Sequence, residues 1–253
     1  MARDETISWK SAFGWTGRRA FRLFTYPVDL FLFIVHALHD SAKHDRLQNH
    51  ATLRQVFRAG GDPLPAILLL GLFVGFTFAL PLLMFSPQLA ETELAPLLMQ
   101  LIGLELGSLL TAVVLIGRTG RAMAIELAGT KPRDGTSAFV GPQLVATSVA
   151  QLVLATYFIA TALFGGMLLA SLLYRGEASG LAVAILTEVK AGELLLFIAK
   201  NLLFGLIIAG AAGLSAFRTD AAPTKVAARA QEAATGSLLL VFFINGLLAA
   251  VAG

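Results

Sequence analysis

The sequence contains no cysteine, which excludes disulfides, thiolate metal sites and cysteine nucleophiles. Charge is also scarce. Asp, Glu, Lys and Arg make up 14% of the 253 residues, against about 25% in soluble domains. No Gly-x-Ser-x-Gly elbow, phosphate-cradling P-loop or metal-ligand spacing occurs, and Ser, His and acidic residues are not gathered where a triad could form. The chain is therefore not read as an enzyme, and any nucleotide chemistry that drives it must come from another chain. The apolar residues do not alternate strictly, which disfavours a β-barrel. A cleavable secretory signal is not visible in the first twenty residues, which are polar and aromatic.

What the chain has in excess is apolar length. Hydrophobic residues make up 57%, the mean hydropathy is positive, and the excess lies in long continuous runs. This composition predicts an all-α polytopic membrane protein. Five spans are expected: about 65–85, 97–117, 142–174, 194–217 and 233–251. The third exceeds thirty residues and must tilt, kink near Gly165-Gly166 or project from the bilayer. Gly71 and Gly75 have the small-xxx-small spacing that lets helices approach closely. Gly60-Gly61-Asp62-Pro63 is a helix-start signal ahead of the first span, and Pro81 should kink that span near its far end.

Residues 1–62 form an N-terminal basic helical region and 63–253 the five-helix transmembrane domain. Trp9 to Val35 mixes aromatics with Lys10, Arg18, Arg19 and Arg22, as suits a helix lying in the headgroup layer, interrupted at Pro27 and Asp29. His36, His39, His44 and His50 lack a third ligand at metal-binding spacing and are read as interfacial polar residues. Segments 1–62, 118–133 and 218–229 hold nine, four and three Lys and Arg, whereas 86–93 and 175–190 hold none and two. That alternation puts the N-terminus on the cytoplasmic side and the C-terminus on the periplasmic side.

Glu105 and Lys200 are the ionisable residues well inside predicted spans. Each unpaired would cost about 2.5–3.5 kcal/mol on insertion scales, so each needs a partner or a wet cavity. Both lie a similar distance from the non-cytoplasmic end, which makes a Glu105–Lys200 contact possible. Glu126, after the Gly117-Arg118-Thr119-Gly120 turn, could pair with Arg118, Arg121 or a partner protein. Asn245 is read as a helix–helix hydrogen-bonding residue. Five spans cannot form two equal halves within one chain, so a second permease protomer is expected to complete any pathway.

Leu104-Glu105-Leu106-Gly107-Ser108, the run TAVVLI, Gly117-Arg118-Thr119-Gly120 and Ile125-Glu126-Leu127 together resemble the MlaE/YrbE-like permeases of bacterial lipid ABC transporters. The segments LRQVFRAGGDPLPAILLLGLFVGFTFAL, AKNLLFGLIIAGAAGLSAF and APTKVAARAQEAATGSLLLVFFINGLL extend the likeness over nearly the whole chain. The resemblance implies a homo- or heterodimeric permease in the bacterial inner membrane, moving phospholipid or another lipid. Its implied partners are cytoplasmic ABC ATPase subunits, which bind ATP and Mg, and a periplasmic MCE-domain lipid-binding protein. No cofactor is expected in this chain, and no nucleic acid as partner. It implies that Phe78, Leu104, Glu105 and Leu106 face a lipid cavity, to which the span reading adds Lys200. It also implies an ATPase-facing stretch holding Arg118, Arg121, Glu126, Lys131, Arg133 and Asp134. Leu104, Ser108, Pro81 and Asn245 depart from the family's Arg, Pro, Gln and Asp, and the segment from Leu127 to Pro142 is shorter than usual. A weakly coupled scaffold subunit, or an ion-coupled carrier using Glu105 and Lys200, are the alternatives.

Overall fold

The computed structural model describes residues 9–43, 50–85, 105–130, 140–174, 191–218 and 223–252. Among these residues every regular element is helical. In chain order they are α1 (Trp9–Lys43), α2 (His50–Gly61), α3 (Leu64–Phe85), α4 (Gly107–Leu115), α5 (Arg121–Thr130), α6 (Gly141–Tyr174), α7 (Ala191–Phe217) and α8 (Pro223–Ala252). A π-helical turn, Ile116–Gly120, joins α4 to α5.

Among the described residues, four helices are long and apolar enough to cross a membrane: Gly107–Gly129, Gly141–Leu169, Ala191–Phe217 and Val226–Ala250. The bent pair Arg54–Gly61 and Leu64–Leu80, which meet at 44°, makes a fifth if counted as one span. The protein is thus a multi-pass membrane protein, and its last three apolar runs lie where hydropathy puts them. The second runs further than expected: its described helix continues past Gly117 to Gly129, so Gly117-Arg118-Thr119-Gly120 is not a turn after the helix but part of it. Of that expected span, 97–104 lies outside the described residues.

The fold is centred on α7. Of its spanning window 56% is buried, against 28–39% in the other three. The cause is its composition: Ala209, Gly210, Ala211, Ala212, Gly213 and Ala216 are all buried, and side chains this small let neighbouring helices close in. A Cβ at Gly205 would lie 2.7 Å from the Thr147 carbonyl of α6, and one at Gly213 would lie 2.9 Å from the Phe33 ring of α1. On the other side of α6, the small-xxx-small pair of α3 does what its spacing predicts. A side chain at Gly71 would strike Thr161, and one at Gly75 would strike the Ala162 carbonyl.

The N-terminal helix corrects the sequence reading. It runs unbroken through Pro27 and Asp29. An interior proline forfeits a hydrogen bond and costs about 3 kcal/mol, which the packing around it offsets. Leu30 and Ala37 are buried, and Tyr26, Phe33, Ile34 and Leu38 pack half-buried against the core at helical spacing. Asp29 accepts a hydrogen bond from Arg218 at 2.6 Å, tying α1 to the end of α7.

Candidate functional site: a buried ion pair and its polar clamp

Three helices converge on one polar cluster. The α4 segment supplies Glu105 just before its first turn, then Ser108 and Thr111, spaced three residues apart and so on one face. α7 supplies Lys200 and Asn201, and α6 supplies Gln151. Each is polar inside an apolar span, so each is stable only if the others satisfy it.

Lys200 Nζ donates to Glu105 Oε2 at 2.7 Å. The lysine side chain is 2% exposed and the glutamate 25%, so the ammonium is sealed while one side of the carboxylate faces open space. The Lys200 nitrogen also lies 6.0 Å from the centre of the Phe204 ring, one turn along α7. Next to it, Asn201 Nδ2 donates to Ser108 Oγ at 2.9 Å and to the Phe197 carbonyl at 2.8 Å. Gln151 Nε2 reaches Thr111 Oγ1 (2.9 Å), the Ser108 carbonyl (3.1 Å) and Asn201 Oδ1 (3.1 Å). Thr111 in turn donates to the Gly107 carbonyl at 2.7 Å. Adjacent residues of α7 therefore hold α4 twice, once by charge and once by amide. Gln151 Oε1 is buried and has no partner.

The cluster holds no activated nucleophile. It offers a neutralised charge pair at the edge of an open space, braced by neutral hydrogen bonds. Such a site can bind, orient and gate.

The other cavity residues read from sequence land unevenly. Phe78 is half-buried and packs against the main core, Leu106 is half-buried, and Leu104 lies outside the described residues. Reading the sequence for charges alone missed Gln151, Asn201, Ser108 and Thr111. The signal was present, since an Asn and a Gln inside apolar runs must find hydrogen-bond partners.

A second polar site lies where α2, the π-turn, α5 and α6 meet. Arg58 Nη1 donates to Glu126 Oε1 at 3.1 Å, with both side chains well exposed. Arg118 Nη1 donates to the Asp62 carbonyl at 2.8 Å. These residues rim a pocket of about 100 Å³, into which Gln55 and Gln143 also project; their buried Oε1 atoms have no partner. Glu126 makes a salt bridge to Arg58 of α2, a residue that sequence reading did not single out. Arg121 is exposed. Lys131, Arg133 and Asp134 lie outside the described residues.

Residues 52–251 match the sequence profile of the family described as Permease MlaE. The chain belongs to the MlaE permease family. It is also 25% identical, over 215 residues covering 80% of this chain and 82% of the relative, to a Synechocystis sp. protein named "Probable ABC transporter permease protein slr1045". The MlaE match takes in both polar sites, from Arg58 to Asn201. One departure from the resemblance now has a physical role: Ser108 stands where this family's pattern has proline, and its hydroxyl accepts the Asn201 hydrogen bond that a proline could not.

Proposed function

We propose that the chain is the transmembrane permease subunit of an ATP-driven lipid transporter of the bacterial inner membrane. It pairs with a second permease protomer, with cytoplasmic ABC ATPase subunits and with a periplasmic MCE-domain protein. The observation that carries the reading is the Glu105–Lys200 pair within spans of an MlaE-family chain. A charge pair kept in an apolar layer, with its carboxylate open on one side, suits a wall along which a lipid headgroup passes. Leu106, Phe78 and Leu104 supply apolar surface for the acyl chains. Arg118, Arg121, Glu126, Lys131, Arg133 and Asp134 lie toward the ATPase.

Purification in mild detergent should recover an ATPase chain and co-purifying lipid, identified by mass spectrometry of the intact complex. Recovery of this chain alone, under conditions that keep other membrane complexes together, would sink the proposal. A second reading, a weakly coupled scaffold subunit, draws on the bonds that Glu126 and Arg118 make within the chain. Replacing Arg121, Glu126 and Lys131 with Ala separates the two. The transporter loses ATPase stimulation and lipid transfer, whereas the scaffold keeps both.

A further inference from the structure

The π-turn faces the bend in the first span. A π-turn is equivalent to one residue inserted into an α-helix, and such turns recur at functional positions. Here the extra residue falls in Ile116–Gly120, and the widened turn brings two successive side chains to one target. Arg118 donates to the Asp62 carbonyl at 2.8 Å, and Thr119 Oγ1 reaches the Ala59 carbonyl at 3.5 Å, the weaker of the two. Asp62 lies in the break between α2 and α3, where the helices meet at 44°, and Ala59 is in the turn just before it. The C-terminal end of α2 leaves carbonyls unmatched there, and the π-turn supplies donors to them.

We propose that the π-turn is a latch on this bend, with Arg118 and Thr119 as positioning residues that hold α2 against α6. Loss of the inserted residue would rotate one flank by about 100° relative to the other if nothing else moved, so the latch exists only while the turn stays π. Because the same helix carries Glu105 above the turn and Glu126 below it, release of the latch moves the first span, with Arg58, relative to both carboxylates. This second step rests on the permease reading; the latch itself does not.

The test uses the full chain, whose lack of cysteine makes introduced pairs clean. A Cβ at Gly60 of α2 would lie 3.7 Å from Ala150 Cβ of α6, within disulfide range. Gly60→Cys with Ala150→Cys therefore reports whether α2 is seated. A Cβ at Gly166 would lie 3.6 Å from Ala79 Cβ, so Gly166→Cys with Ala79→Cys is the control for α3 on α6, far from the latch. Deleting Gly117, whose Cβ position meets nothing within 4 Å, returns the turn to α-helix without removing a packed group. Arg118→Ala with Thr119→Val removes the two donors and leaves the turn in place.

Both variants should slow cross-linking of the first pair in native membranes by about tenfold or more, as loss of a hydrogen bond from a charged group allows, and leave the control pair unchanged. Unchanged rates at the first pair in both variants overturn the latch. Equal loss at both pairs also overturns it, because that marks general loss of the bundle. If the cross-linking pattern holds but the reconstituted wild-type complex shows no ATP-driven lipid transfer, the transporter reading fails and the latch stands.

Discussion

Lys200 and Glu105 are joined at 2.7 Å across 95 residues of sequence, with the ammonium sealed and the carboxylate partly open. The asymmetry sets how the pair responds to mutation. Removing Glu105 takes the carboxylate from an ammonium that is only 2% exposed, whereas removing Lys200 leaves a carboxylate that is 25% exposed.

The first prediction concerns that asymmetry. Lys200→Met and Glu105→Gln should each destabilise the protein, with Glu105→Gln the worse, at about 3–5 kcal/mol for breaking a buried pair. The double substitution should recover much of the loss, because no unpaired charge remains. Thermal unfolding of the four proteins in nanodiscs gives the cycle. Additive losses in the double variant would mean that the two side chains act independently.

The amide clamp should behave differently. Asn201→Leu and Gln151→Leu each break interhelical hydrogen bonds of a kind worth about 0.6 kcal/mol on average and up to about 1.7 in membranes. Because the two share the Gln151–Asn201 bond, the double variant should cost less than the sum of the single ones. Denaturant titration in mixed micelles measures this, and a fully additive pair would argue that the shared bond contributes nothing.

Close helix packing provides a third test with an internal control. Gly75→Ala drives a methyl into the Ala162 carbonyl; overpacking of this sort costs about 1–3 kcal/mol. Gly246→Ala in α8 meets nothing within 4 Å and should be neutral or stabilising by up to about 1 kcal/mol, since alanine loses less backbone entropy in a helix. Opposite signs in the melting temperatures are expected. A loss at Gly246 equal to that at Gly75 would contradict the packing.

Docking of α1 should rest on shape and not on its ion pair. Asp29 and Arg218 are 42% and 47% exposed, so Asp29→Asn should cost under about 1 kcal/mol and become silent at high salt. Gly236→Leu, placed where even a Cβ would lie 2.9 Å from the Tyr26 ring, should undock the helix and expose α1 to protease. Limited proteolysis at two salt concentrations compares them, and release of α1 by Asp29→Asn alone would reverse the ranking.

Much of this architecture is visible from the sequence because its determinants are local. Continuous apolar length gives the spans, and small-xxx-small spacing marks the face of α3 that meets α6. The family motif survives in the order of Glu105, Gly117-Arg118-Thr119-Gly120 and Glu126, and the isolation of Glu105 and Lys200 in apolar runs already demands partners for both. Proline at position 27 misled in the other direction: its local cost is real, but the packing of Leu30, Phe33 and Ile34 against α7 outweighs it, and that packing is not a local property.

Only the tertiary structure decided which polar groups meet. Glu126 binds Arg58, 68 positions away, and Gln151 reaches Asn201 and Ser108 across 50 and 43. Such pairings depend on how far each helix is rotated about its axis, and one residue of phase turns a side chain by about 100°. Hydropathy carries little of that phase when a helix is apolar all round. The π-turn is the clearest case, since the sequence offers Gly-Arg-Thr-Gly as an ordinary turn. It becomes a continuous helix with one extra residue because α2 and the bend at Asp62 present carbonyls for Arg118 and Thr119 to reach.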